Sequence, residues 1–242
     1  MKRICLWSGP RNISTALMYA FAQRSDTTVV DEPLYAHYLT STPSRDYHPG
    51  ALDVIAHQEN HGPTVIDTVI LGPHPTPVVF FKHMTHHLVD LDWAFLQHTT
   101  NLILTRDPGQ MLTSFINQIP NPTLQDTGYP QQLQLLRHLQ SIGQSPLVID
   151  SKHILLDPPK TLARICAHLQ IPFQPAMLRW PAGPRPEDGI WAPHWYHNVH
   201  RSTGFAPYKP KTTPIPDSLS DLHRECQQLY NALTAPHAGN PI

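Results

Sequence analysis

Four short groups in the chain place reactive side chains directly after apolar runs. Gly9-Pro10-Arg11-Asn12, continued by Ser14 and Thr15, lies where an apolar run passes into a helical pattern. A helix start leaves backbone N–H groups unpaired and carries partial positive charge, so such a turn is suited to an anion. Arg11 adds a planar fork of donors, and Ser14 and Thr15 add hydroxyls, which fits a phosphate or a sulfate. The competing reading, a capped strand-to-helix turn without a ligand, does not call for Gly-Pro-Arg. Asp31-Glu32, Lys82-His83 and Thr105-Arg106-Asp107 follow three further apolar runs. Charged and polar groups gathered at one rim, with apolar strands behind them, are what a pocket for a charged ligand requires.

Bringing these groups to one rim takes a parallel sheet. The apolar runs at 4–7, 27–30, 78–81, 101–104 and 147–149 read as strands, and helical patterns at about 14–23, 87–97, 108–118, 130–142 and 158–169 alternate with them. That alternation predicts an α/β fold with a parallel sheet covered on both faces. In such folds ligands bind outside the carboxyl ends of the strands, which is where the four groups lie. Residues 39–50 and 72–77 read as loops. Residues 180–216 hold eight prolines and little periodicity, which predicts a long wrap or lid over the sheet's edge or mouth, and 217–232 reads as a terminal helix.

Composition narrows the classes further. The 242 residues are enough for one full core, so 1–242 reads as a single domain. With 17 Lys+Arg against 18 Asp+Glu and a net charge of −1, no field of one sign is available to gather nucleic acid or an anionic membrane. No apolar run spans a membrane, and the one after Met1-Lys2-Arg3 is too short for a signal-peptide core, so a soluble, cytoplasmic protein is expected. Cys5, Cys166 and Cys226 are far apart and read as reduced core thiols. The first loop is no Walker motif: its spacing is shorter, the second glycine is missing and Arg11 is its only cation. No clear magnesium partner accompanies it, although Asp31 could serve as one.

"WSGPRNISTAL" resembles the 5′-phosphosulfate loop of sulfotransferases that use 3′-phosphoadenosine 5′-phosphosulfate (PAPS), and "LILTRDPGQMLTSF" resembles their 3′-phosphate motif. In that motif an Arg ends a strand and a Ser lies eight residues on, the spacing of Arg106 and Ser114. "DEPLYAHYL", "FFKHM" and "WPAGPRPEDGIWAPHWYHNV" resemble recurring pieces of a bacterial subgroup of the family. The better-studied members carry Lys or Arg followed by Ser-Gly-Thr where this chain has Gly-Pro-Arg-Asn. The resemblance implies a three-layer, P-loop NTPase-like α/β fold with a mainly parallel five-stranded sheet. It also implies sulfuryl transfer from PAPS to a hydroxyl or amine of a small-molecule acceptor, with no metal required. Gly9, Pro10, Arg11, Asn12, Ser14, Thr15, Arg106 and Ser114 are then the nucleotide-binding residues. An ATP-using phosphotransferase and a non-catalytic adenosine-nucleotide-binding protein are the alternatives, and a homodimer stays open.

Sulfuryl transfer needs a base for the acceptor and positive charge on the developing sulfate oxygens and leaving phosphate. Glu32, closing the second strand opposite the first loop, is the expected base, because "DEPLYAH" resembles the Glu-Pro stretch of carbohydrate sulfotransferases. His83 is the rival, since cytosolic relatives use a His shortly after a Lys on the third strand and imidazole titrates near neutrality. In that case Lys82 steadies the bridging oxygen. The clusters His83, His86, His87 and His194, His197, His200 lack a metal-site pattern. Trp191, Trp195 and Tyr196 read either as a stacking wall for adenine or acceptor, or as ordinary packing. Arg201-Ser202-Thr203-Gly204 is a weak match to a late loop that approaches the 3′-phosphate.

Overall fold

A computed structural model describes residues 1–235. Five strands, β1 (Lys2–Ser8), β2 (Thr27–Asp31), β3 (Val78–Met84), β4 (Thr100–Thr105) and β5 (Leu147–Asp150), form one sheet in the order β2-β3-β1-β4-β5. Every neighbouring pair is parallel. The registers Asp31↔Lys82, Ser8↔Met84, Ser8↔Leu104 and Thr105↔Asp150 bring the carboxyl ends to one edge. Parallel strands need crossover segments, and the helical patterns supply most of them.

Side chains alternate across each strand, so the two faces carry different cores. Cys5, Trp7, Val79, Phe81, Ile103 and Val148 pack on one face. They meet α4 (Pro108–Phe115), α5 (Tyr129–Ser141) and α8 (Ser220–Thr234), which bury Leu112, Leu136 and Cys226 there. Ile4, Leu6, Val78, Phe80, Leu102 and Ile149 pack on the other face. That face is covered by α1 (Ser14–Ala22), α6 (Ser151–Leu156) and α7 (Pro158–His168), through Leu17, Phe21, Ile154 and Ile165. The expected three layers and the five-stranded sheet are present, with all strands parallel.

Local structure departs from expectation in three places. The helix expected at 87–97 is replaced by two 3-10 turns, Thr85–His87 and Trp93–His98. Asp90, between them, has φ +48, which stops a right-handed helix from continuing. Between β2 and β3 stand α2 (Tyr35–Ser41), which runs into a stretch that reads as loop, α3 (Ala51–His57), and a further helical segment over Gly62–Val65 and Ile66–Ile70. Within 180–216 the chain forms two single turns, Ala192–Trp195 and His197–His200, and folds back on itself through Trp180 N–H to Thr203 O and Gly183 N–H to His200 O. The terminal helix starts at Ser220, after a 3-10 turn over Asp217–Leu219.

Candidate functional site

A cleft of about 430 Å³ opens at the carboxyl edge of the sheet. It is within the size range of cofactor and small-molecule sites. Its floor is the β1–α1 turn. Asn12 pins that turn: its amide donates to Leu104 O at 3.1 Å and its side-chain oxygen accepts from Ile13 N–H at 3.0 Å. Arg11 sits at φ +50, a left-handed conformation that costs a non-glycine residue free energy. No side chain caps α1, whose first residues Ser14, Thr15 and Ala16 line the cleft. The positive end of that helix is therefore open to a ligand.

Beside this turn the structure gathers positive charge. Arg11 Nε donates to Ser114 Oγ at 3.1 Å, and Arg106 donates to the Arg11 carbonyl at 2.6 Å. Arg11 thus links the serine of α4, through its guanidinium, and the Arg106 guanidinium, through its carbonyl, and all three line the cleft. Lys211 joins them from the Pro-rich segment. Its backbone is clamped to α4, with Lys211 N–H donating to Gln110 Oε1 at 2.7 Å and Gln110 Nε2 donating back to Lys211 O at 3.3 Å. Among the described residues none of the three cations forms an ion pair with a carboxylate. Burial, then repulsion from Arg106 and Arg11, pushes the Lys211 ammonium down to about 8. Burial and the Arg106 charge likewise lower Arg11. This is a site that repels itself until an anion enters.

Across the cleft the charges are already paired. Lys82, 1% exposed, reaches Asp31 Oδ1 at 3.0 Å, Tyr196 Oη at 2.6 Å and, in a short contact, Glu32 Oε1. The two carboxylates keep the ammonium charged despite its burial and raise its proton affinity. Asp31 is saturated: it also accepts from the Tyr196 hydroxyl at 2.8 Å and from Gly189 N–H at 3.1 Å. Glu32 lines the cleft and holds φ +39, with its carbonyl accepting from Gln58 Nε2 at 3.0 Å and Tyr35 N–H at 3.1 Å. Burial raises its carboxyl above the usual carboxylate range against the opposing pull of Lys82.

His83 is elsewhere. As the neighbour of Lys82 on β3 it points to the opposite face, where its ring stacks on Trp7 at 4.2 Å between centroids. It is fully buried, lies outside the cleft lining, and burial pushes it down to about 3. His86 and His87 do line the cleft, the latter stacked on Tyr35 and Tyr38. Trp191, Trp195 and Tyr196 complete an aromatic wall with them. His200 pairs with Asp188 at 2.9 Å, and among the described residues no three His, Cys, Asp or Glu form a metal-holding group. Arg201 is exposed and bonds Asn198, whereas Ser202 and Gly204 line the cleft. Lys211, His48 and Asp126 are lining residues that sequence reasoning missed. The only signal for Lys211 was its place in the Pro-rich segment.

The sulfotransferase domain family model matches residues 1–237. The chain is 40% identical over 232 residues to "Branched-chain-amino-acid aminotransferase-like protein 1" of Arabidopsis thaliana, covering 94% of this chain and 40% of that protein. It therefore spans about two fifths of that relative's length. Among solved structures, it resembles the sulfotransferase domain of the Synechococcus PCC 7002 olefin synthase at TM-score 0.60 and 15% identity, covering 95% of this chain and 94% of that one. A sulfotransferase from Alicyclobacillus acidocaldarius is similar at TM-score 0.55 and 12% identity, covering 96% and 95%.

Proposed function

Since the chain belongs to the sulfotransferase domain family, we propose that it transfers a sulfuryl group from PAPS to a hydroxyl or amine of a small-molecule acceptor. The observation that carries this reading is the division of one cleft into a cationic half that has no carboxylate partners among the described residues and a half where Glu32 and Lys82 meet. Arg11, Arg106, Ser114 and Lys211, with the open start of α1, suit a nucleotide bearing two separate anionic groups. Glu32 has an oxygen free of the Lys82 contact.

In the proposed reaction the acceptor oxygen or nitrogen bonds to sulfur as the bond from sulfur to the phosphate oxygen breaks. The electron pair of that bond leaves with 3′,5′-adenosine diphosphate, and the acceptor proton passes to Glu32. Lys82 stays charged beside the transferring group. The His83 alternative loses support because its ring is turned into the core. The magnesium-dependent phosphotransferase reading loses support because Asp31, its candidate ligand, is bound by Lys82, Tyr196 and Gly189. The soluble, cytoplasmic expectation is kept as part of this proposal; no described helix is long and apolar enough to cross a membrane.

Calorimetric titration with 3′,5′-adenosine diphosphate and with ATP plus magnesium tests the nucleotide, with tighter binding of the first expected. Glu32→Gln tests the base: it keeps shape and hydrogen bonding but takes no proton, so turnover should fall about 10²–10⁴-fold while nucleotide affinity holds. Sulfation of a generic phenol or sugar alcohol, or sulfate release from PAPS, supplies the assay. Full turnover in Glu32→Gln would overturn the assignment.

A further inference from the structure

Two carboxylates adjoin Lys82, and the structure treats them unequally. Asp31 is absent from the cleft lining and has donors on both oxygens: the Lys82 ammonium on Oδ1, Gly189 N–H on Oδ2 and the Tyr196 hydroxyl shared between them at 3.0 and 2.8 Å. Glu32 faces the cleft with one oxygen held by Lys82. Tyr196 is itself fixed by Trp191 Nε1, which donates to its oxygen at 3.1 Å. The phenol is buried, and burial next to Asp31 holds it well above its ordinary range, so it remains a donor.

We infer that Asp31 and Tyr196 are positioning residues of this site: together they anchor Lys82 and leave Glu32 as the carboxylate that takes the acceptor's proton. This rests on the reading of Glu32 as the base. The charge count supplies the reason. Before transfer the buried group holds two carboxylates and one ammonium, a net single negative charge. Once Glu32 carries the proton the group is neutral, which burial favours. Without Asp31, a single Glu32–Lys82 pair would be neutral beforehand and would lose its compensation on protonation. Asp31 thus makes Glu32 a stronger base and keeps Lys82 in place after Glu32 has been neutralised. Tyr196 caps Asp31, so the second carboxylate is not the one that takes the proton.

The other titratable groups around this cluster do not compete. Tyr35, next to Glu32, is held neutral by burial. Tyr19 faces Asp31 from α1 and is likewise raised. His83 and His87, near Lys82, are lowered by burial and stay uncharged. The Tyr196 contact also has a topological consequence: the segment 180–216 touches Asp31 directly, from a sequence distance of 165 residues.

The chain has four glutamates, which makes carbon-13 glutamate labelling and carboxyl titration by NMR practical, with Glu32→Gln identifying the Glu32 resonance. Asp31→Asn removes the neighbouring negative charge, so the Glu32 midpoint should fall by about one pH unit or more. Tyr196→Phe removes a donor to the carboxylate pair, so the midpoint should rise. The acid limb of the kcat/KM profile should move in the same opposite directions, with kcat about tenfold lower in Asp31→Asn and nucleotide affinity unchanged in both. A merely structural role would not shift the two variants in opposite senses. If Asp31→Asn does not fold, the upward shift in Tyr196→Phe still decides. Midpoints that stay put, or move the same way, overturn the inference. Full turnover in Glu32→Gln would sink the base reading and this inference with it, whereas unmoved midpoints beside an inactive Glu32→Gln would sink this inference alone.

Discussion

The two halves of the cleft handle charge in opposite ways. Arg106 lowers the proton affinity of Arg11, both arginines lower that of Lys211, and none of the three has a carboxylate partner among the described residues. Asp31, Glu32, Lys82 and Tyr196 are more deeply buried and almost fully satisfied by one another. A cationic surface without ion-pair partners gains free energy when an anion arrives, which suits it to the proposed nucleotide. A buried cluster that is hydrogen-bonded within itself yet carries one net negative charge responds strongly when one proton moves, which suits it to the proposed proton transfer. Net charge near zero for the whole chain conceals both arrangements.

Removing Lys82 should break this contrast most severely. Lys82→Met strands two buried carboxylates, and breaking a buried pair in this way costs about 3–5 kcal/mol. The sign with pH follows from the stranded groups: acid neutralises them, so urea denaturation should show the deficit largest at neutral and alkaline pH and partly recovered in acid. A deficit independent of pH would show that the loss is one of packing.

Arg106→Ala should come next. It should weaken 3′,5′-adenosine diphosphate binding by about 1.5–3 kcal/mol, the range for a hydrogen bond to a charged group, while affecting adenosine 5′-phosphosulfate much less. Equal losses for both ligands would make Arg106 a structural residue and dissolve the distinction between two anion positions.

Lys211 offers a smaller and pH-specific effect. Its ammonium is pushed down to about 8 by burial and by Arg106 and Arg11, and an anion bound beside it would raise it again. Affinity for 3′,5′-adenosine diphosphate should therefore be full below about pH 8 and fall as pH rises above it, by up to about tenfold per unit. In Lys211→Met that slope should disappear, as calorimetry at pH 7 and pH 9 can establish.

His83→Phe should do least. The ring stacks on Trp7 and both of its nitrogens lack partners among the described residues, so an apolar ring of similar shape should change stability by about 1 kcal/mol or less and leave turnover intact. Loss of turnover in this variant would return His83 to the reaction.

What the sequence determined by itself was everything that depends on local pattern. Short apolar runs alternating with amphipathic segments specify parallel strands and their covering helices, because each period suits only one backbone geometry. The residues directly after those runs then fall at the carboxyl edge, which is how Arg11, Glu32, Lys82 and Arg106 were legible without coordinates. The sequence left Glu32 and His83 as rival bases with Lys82 beside His83; consecutive strand residues face opposite sides, so of Lys82 and His83 only one can meet Glu32 in the cleft. Which one it is depends on the Asp31↔Lys82 register and on Trp7 presenting its ring to His83, and no local pattern encodes either. The α2 and α3 helices escaped notice because their seven-residue lengths leave too few turns for a periodic signal. Tyr196 and Lys211 reach the site from a segment with almost no periodicity, held there by long-range contacts with Asp31 and Gln110. Tertiary structure alone decided those partners, since an ion pair or a hydrogen bond depends on distance in space, and chain separation says almost nothing about that distance once the sheet has formed.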